Sequence, residues 1–218
     1  MIKVDLHVHT CYSVDGSLSP ETVVELCQER GVGAVAITDH NTIDGALAVR
    51  EIAPFPTIVG QEISSSDGEL LGLFVEAQVP RDLPARETIA LIKQQGGLAG
   101  VPHPFDRFRR ESLERKVLEE VAGELDFIEG LNGRITFAGD NRRAQEFARR
   151  HGIPCTAGSD AHCRHELGRV YVEMPSIDGS RERFVEQLAQ ARIGGDLSPF
   201  WVHFFSVYRK VRNLVAKD

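Results

Sequence analysis

The sequence of 218 residues predicts an α/β fold: a small β/α barrel of about seven strands or, failing that, an open doubly wound sheet. Three observations carry this expectation. Short apolar runs alternate with helical patterns along the chain, and turn and cap residues punctuate them. The side chains capable of chemistry fall at the ends of the predicted strands, the rim where a barrel of parallel strands keeps its active site. No repeat, linker or low-complexity block interrupts the pattern, so residues 1–218 read as one domain. A chain of this length buries roughly 70% of its unfolded surface.

The elements follow in order. Ile2 to Val8 reads as a buried strand. Ser19-Pro20-Glu21 then begins a helix, with Ser as N-cap, Pro at the first helical position and an acid in the first turn. Gly31 is its C-cap candidate. A strand over 34–38 and a helix from about Asp44 to Ala53 come next. Strands over 57–63 and 70–75 are joined by a Ser-Ser-Asp-Gly turn. Helical patterns over 86–95, 111–121 and 139–151 alternate with extended segments over 98–102, 126–130 and 154–158. Val170 to Met174 is a last strand, followed by a helix over 180–192 and an aromatic-rich tail helix over 199–215.

Composition narrows the function classes. With 42% hydrophobic and 26% charged residues, this is an ordinary soluble globular chain. A formal net charge of −7 argues against a duplex nucleic-acid surface, which carries a basic footprint. A small nucleotide or a short single strand held by metal ions stays compatible with it. Cys11, Cys27, Cys155 and Cys163 form no C-x-x-C pair and read as reduced thiols. No apolar run approaches membrane-spanning length, and Met1 leads straight into a strand without a signal peptide. The expectation is therefore a cytoplasmic protein. Oligomeric state is not legible.

Asp5-Leu6-His7-Val8-His9 near the start is answered by Ser159-Asp160-Ala161-His162. Each places ligand-type side chains at i and i+2, on one face of a strand and within reach of one ion. Asp39 and His40 follow the second strand, Glu62 ends the third, His103 follows the fifth and Asn132 the sixth; Asp15 lies in the first loop. A scattered set of structural histidines would have no reason to choose strand ends.

In that order, Asp-Leu-His-Val-His-Thr, Thr-Asp-His-Asn, Gly-Gln-Glu-Ile, Pro-His-Pro and Gly-Ser-Asp-Ala-His resemble the PHP (polymerase and histidinol phosphatase) superfamily. The resemblance covers residue 1 to about 175. It implies a distorted seven-stranded (β/α)7 barrel, TIM-like, holding two or three divalent metals that hydrolyse phosphoesters. By position it gives the first metal His7, His9, Glu62 and Asp160. The second would share Glu62 and add His103, and the third would take Asp15, His40 and His162. The Asp15-Gly16 loop is similar to the branch that includes nucleotide 3′-phosphodiesterases.

One position departs from that pattern. Many relatives carry a further histidine ligand on the fourth strand, where this chain has Glu69. Glu69 either replaces imidazole as a ligand or faces water as a turn residue beside Asp67-Gly68.

A histidine–carboxylate set without thiolates suits Mn, Fe or Zn over Ca or Mg. Closely spaced metals of this kind lower the pKa of bound water, supply hydroxide and stabilise charge on the attacking and leaving oxygens. Asp39 is placed to orient a ligand histidine or relay a proton. Arg134 and Arg169 offer planar forks for phosphate, with Arg107 and Arg109 as competitors. His151, His165 and His203 need no ligand role. The expected function is hydrolysis of a small phosphorylated metabolite, a nucleotide or a short oligonucleotide end. Histidinol phosphate is an alternative substrate. An amidohydrolase-type C–N hydrolase and a non-catalytic metal-stabilised domain are alternative classes. The first of these lacks a bridging lysine, since Lys93 falls within a predicted helix.

Overall fold

The computed structural model describes residues 1–175, 177, 181–202 and 204. Strand β1 (Ile2–Val8) leads through a long loop into helix α1 (Pro20–Arg30). Ser19 caps α1 by accepting a hydrogen bond from the Thr22 amide at 3.2 Å, and Gly31 closes it in the left-handed region at φ 66°. There follow β2 (Val32–Ile37), α2 (Asp44–Ile52), β3 (Thr57–Ser65), β4 (Gly68–Leu73), α3 (Ala85–Gln94) and β5 (Leu98–Val101). Next come α4 (Arg115–Val121), a short 3-10 turn, β6 (Phe127–Asn132), α5 (Ala138–His151) and β7 (Cys155–Gly158). The chain continues through β8 (Val170–Met174), α6 (Arg181–Leu188) and β9 (Arg192–Gly195).

The strands form one sheet in the order β7-β6-β5-β4-β3-β2-β1-β8-β9. Among the described residues, the expected count of seven is therefore corrected to nine. The sheet curls until the end of β7 meets β1. There the Asp160 amide donates to the His7 carbonyl at 2.8 Å, and the His9 amide to the Ala161 carbonyl at 2.9 Å. Gly158 makes the approach possible, since a Cβ there would lie 2.3 Å from that of His7. The start of β1 pairs instead with β8, antiparallel, so β1 splits its two ends between β8 and the β7 seam. The result is a nearly closed, distorted barrel.

Two features escaped the sequence pattern. β9 reads Arg-Ile-Gly-Gly, too short and glycine-rich to alternate, and it exists because β8 offers an antiparallel edge. The helix expected to run to Arg192 ends at Leu188 for the same reason. The helix expected from Glu111 begins at Arg115. β4 runs antiparallel to β3 because a tight turn at Ser66-Asp67 joins them. Its first residues therefore sit at the rim where the parallel strands end. The tail helix over 199–215 and His203 lie outside the described residues, apart from 199–202 and 204.

Two apolar clusters support the rim. One packs helix residues such as Leu26, Val49, Ile89, Leu118 and Phe147 on the sheet. The other joins Val4, Ala34, Leu71 and Phe127 on strands to Phe184 and Leu188 on α6. Among the described residues, no helix is long and apolar enough to cross a membrane.

Candidate metal centre

β1 delivers His7 and His9 side by side, their Nε2 atoms 3.0 Å apart and both side chains fully buried. Glu62, on β3, is the hub. Its Oε2 lies 3.4 Å from His7 Nε2, 3.3 Å from His9 Nε2 and 3.1 Å from His40 Nδ1, while Oε1 lies 3.0 Å from His103 Nε2. Asp160, just past β7, closes the group, with Oδ1 3.3 Å from His9 Nε2 and 3.7 Å from His7 Nε2. Backbone strain helps to aim two of these residues. His103 at φ 31° and Asp160 at φ 55° adopt left-handed conformations just past their strand ends, where such strain commonly marks a functional site.

The donor set fits metal ions. Atoms bound at ~2.0–2.3 Å to a shared ion are separated by roughly 3–3.7 Å, the edges of a coordination polyhedron. The separations above fall in that range. His7 donates from Nδ1 to Glu129 Oε1 at 2.9 Å, and His9 from Nδ1 to Ser13 Oγ at 3.2 Å. Both Nε2 lone pairs therefore face the same space as the carboxylates. Glu62 Oε2, Asp160 Oδ1 and Asp15 Oδ1 are buried there without a hydrogen-bond partner. Converging lone pairs repel unless protons or cations lie between them.

Two further groupings adjoin this one. Asp15 Oδ2 lies 3.5 Å from His162 Nε2 and its Oδ1 3.7 Å from His40 Nε2. His40 thus turns one ring nitrogen to Asp15 and the other to Glu62. Because β4 is antiparallel, Glu69 reaches the rim, 3.8 Å from His40 Nδ1 and 3.7 Å from His103 Nε2. Of the two sequence alternatives, burial in the cluster is the observed one: Glu69 is 5% exposed. Three groups, His7/His9/Glu62, His9/His40/His162 and His40/Glu62/Glu69, each bring candidate ligand atoms within 4.8 Å of one another. Partial exposure of Asp15 and His40 marks the opening to solvent.

Protonation records the crowding. Burial opposes charge on His9, but Asp160 and Glu62 hold its pKa up to about 9; Glu129, Asp160 and Glu62 likewise raise that of His7 against burial. Burial and then the Glu62 charge push Glu69 well above the usual carboxylate range. Glu62 and Asp160 are held low despite burial, Glu62 chiefly by His7 and His40 and Asp160 chiefly by Arg109. Burial and the nearby Arg134 depress His162 to about 3.

The supporting layer contains residues that sequence reasoning missed. Glu129 accepts from His7 Nδ1, from the His103 amide at 2.7 Å and from Asn132 Nδ2 at 3.0 Å. A lone acid inside the apolar run Phe127-Ile128-Glu129-Gly130 was the available signal. Asp5 accepts from the Ser159 and Gly168 amides, both at 2.8 Å, and ties the β7–β8 loop to β1. Glu166 accepts from the His162 and Cys163 amides at 2.8 and 2.9 Å. Asn132 also donates to Asp160 Oδ2 at 3.1 Å. Asp39 accepts from Thr10 and Ser13, and reaches His9 only through Ser13 Oγ, which donates to it at 2.6 Å. Its side chain therefore positions a histidine, and its carbonyl accepts from the Glu62 amide at 3.2 Å.

The arginines sort differently from expectation. Arg109 enters the cluster, its guanidinium donating to Asp160 Oδ2 and to His103 Nε2, the latter at 2.9 Å. Arg134 is buried beside His162 and pairs with Glu166 at 3.3 Å. Arg169 donates to the Leu197 carbonyl at 3.4 Å, towards β9. Arg107 holds Asp140 with two hydrogen bonds. His151 pairs with Glu119, and His165 meets the Trp201 ring edge-on. Burial and Glu166 push the Cys163 thiol up to about 11, so it stays protonated at neutral pH.

Comparison with known proteins gives the family. The PHP domain family matches residues 5–150, more than half of the chain, and a PHP-associated segment matches residues 138–193. The chain belongs to the PHP domain family. It is 35% identical over 181 residues to an uncharacterized protein of Methanocaldococcus jannaschii, covering 81% of this chain and 72% of that protein. It is 40% identical over 85 residues to a phosphoribosyl 1,2-cyclic phosphate 1,2-diphosphodiesterase of Eggerthella lenta, covering 35% and 32%. A 5′-3′ exoribonuclease of Salmonella typhimurium is 39% identical over 95 residues, covering 38% and 32%. The chain thus spans about a third of these two enzymes. A two-domain Bacteroides vulgatus protein containing a predicted PHP-like metal-dependent phosphoesterase superposes with a TM-score of 0.73 at 18% identity. That match covers 89% of this chain and 65% of that one, and it shows the shared fold.

Proposed function

We propose that this protein is a metal-dependent phosphoesterase acting on a small phosphorylated metabolite or nucleotide. One observation carries the reading: four imidazole nitrogens surround a single buried carboxylate, Glu62, at 3.0–3.4 Å. A metal-free core holds that arrangement only with protons on the imidazoles, whereas closely spaced divalent cations satisfy all of its lone pairs. His7, His9, Glu62 and Asp160 would hold one ion. Glu62, Glu69 and, once Arg109 gives up its hydrogen bond to Nε2, His103 would hold a second, with His40 adjacent, and Asp15, His40 and His162 a third. Mn, Fe or Zn suits the donor set. Bound ions of this kind supply a neutral-pH water nucleophile and neutralise charge on transferring phosphoryl oxygens.

The chain's own residues do the remaining work. Glu129 fixes the tautomer of His7, and Ser13 with Asp39 fixes that of His9, so that both Nε2 atoms face inward. Asn132 steadies Asp160. Arg109 brings a planar fork to the partly open edge, suited to a phosphate oxygen, and Arg134 lends positive potential beside His162. The named phosphodiesterase and exoribonuclease relatives support the phosphoester class. The test is reconstitution with Mn, Fe or Zn, then a screen of phosphomonoesters, bisphosphates and cyclic phosphodiesters. Turnover that a chelator abolishes supports the reading. Bound metal with no turnover of any phosphoester rejects it in favour of a non-catalytic domain.

A further inference from the structure

The loop between β5 and α4 carries more than His103 into the site. Its segment Arg107-Phe108-Arg109-Arg110 sets three cations beside one aromatic residue in sequence, in a chain of net charge −7. Arg109 turns inward to Asp160 and His103. Its neighbour Phe108 turns outward and is 65% exposed. The Phe108 ring stacks on that of Phe137, from the loop after β6, with centroids 5.6 Å apart and planes at 29°. Phe137 is itself 47% exposed.

This pair is braced. The Arg107 guanidinium lies 4.9 Å from the centre of the Phe137 ring and is anchored to the buried Asp140 at 2.6 and 3.0 Å. The Phe108 amide donates to Asp106 Oδ1 at 3.0 Å, and Arg109 Nε lies 3.5 Å from Asp106 Oδ2. Two large, partly exposed apolar rings are thus stacked on one another, and Phe108 is the residue next to Arg109, whose guanidinium lies in the metal-type cluster. Exposed rings of this kind contribute little to folding, whereas a flat, pre-ordered π surface beside a cationic loop suits a planar ring tethered to an anion.

We infer that Phe108 and Phe137 form a stacking platform for the base of a nucleotide whose phosphate is held at the cluster beside Arg109. The inference rests on the phosphoesterase reading and narrows its substrate class to base-bearing phosphates. A sugar phosphate without a ring base would leave the platform unused.

The test is calorimetric binding to the metal-loaded full chain. The probes are phosphonate analogues of adenosine 5′-monophosphate and of ribose 5-phosphate, whose C–P bonds resist hydrolysis. The adenosine analogue should bind about 10–100-fold more tightly. In Phe108→Ala/Phe137→Ala that ratio should fall below about threefold, while Phe108→Trp should keep it. Circular dichroism checks the fold, and Phe108→Ala alone serves if the double variant fails to fold. Equal affinities in the native chain, or a ratio unchanged by removing the rings, would overturn the platform. Failure to hydrolyse any phosphoester is a separate outcome that strikes the parent reading.

Discussion

Replacing Glu129 with Gln should weaken metal binding without unfolding the protein. Glu129 is an acceptor at three points: His7 Nδ1 on one oxygen, and the His103 amide and Asn132 Nδ2 on the other. Gln offers one accepting oxygen and one donating amide. If its oxygen keeps the His103 and Asn132 bonds, its amide faces His7 Nδ1 and drives the ring proton to Nε2, the atom that faces Glu62 and Asp160. If its oxygen turns to His7, the amide confronts two donors. The first outcome blocks the ligand lone pair of His7, and the second leaves a buried donor unpaired, at about 1–3 kcal/mol. Loss of such an outer partner typically lowers metal affinity about 10–100-fold, or ~1.4–2.7 kcal/mol. Competition with a graded chelator measures this for the tightest ion, with circular dichroism as the fold control. A folded variant with affinity within about twofold of native would refute the tautomer argument.

Three other outcomes follow from the same geometry. Asp15→Ala should remove the ion nearest His40 and His162 and cut hydrolysis at least about 100-fold, with the fold intact; elemental analysis showing unchanged metal content would return Asp15 to the loop. Glu69 has a raised folded-state pKa, so the metal-free protein loses stability as pH rises from the unfolded carboxylate value through the folded one. Glu69→Gln should therefore raise the melting temperature of the metal-free chain at neutral pH yet shrink the shift that added metal produces; a lowered metal-free melting point contradicts this. His9, held up to about 9, carries its second ring proton at pH 7.5 in the metal-free chain and must release it to a cation. Affinity should rise with pH between the ordinary histidine value and about 9. Calorimetry in two buffers of different ionisation heat reads the released protons, and identical heats would contradict the assignment.

Much of the rim was legible because ligand chemistry and strand periodicity coincide. His7 and His9 at i and i+2, and Glu62 at the end of an apolar strand, met in space as their positions implied. Glu69 was undecidable from sequence, because its placement depends on β4 running against its neighbours and so presenting its start to the rim. Glu129 was hidden by its apolar surroundings, and its partners lie 122 and 26 residues away in the chain. Arg109 was visible only as one of several arginines, since nothing local told which would turn inward. β9 was invisible because an edge strand of Arg-Ile-Gly-Gly owes its conformation to β8 rather than to its own residues.

Metal content per chain, by elemental analysis of the full chain reconstituted anaerobically with Mn, Fe or Zn and then dialysed, tests the central claim most directly. The account predicts about two to three ions per native chain and fewer in Glu62→Gln, whose side chain keeps the volume but not the shared charge. A native chain that retains no ions, or a Glu62→Gln variant that retains them all, would contradict it.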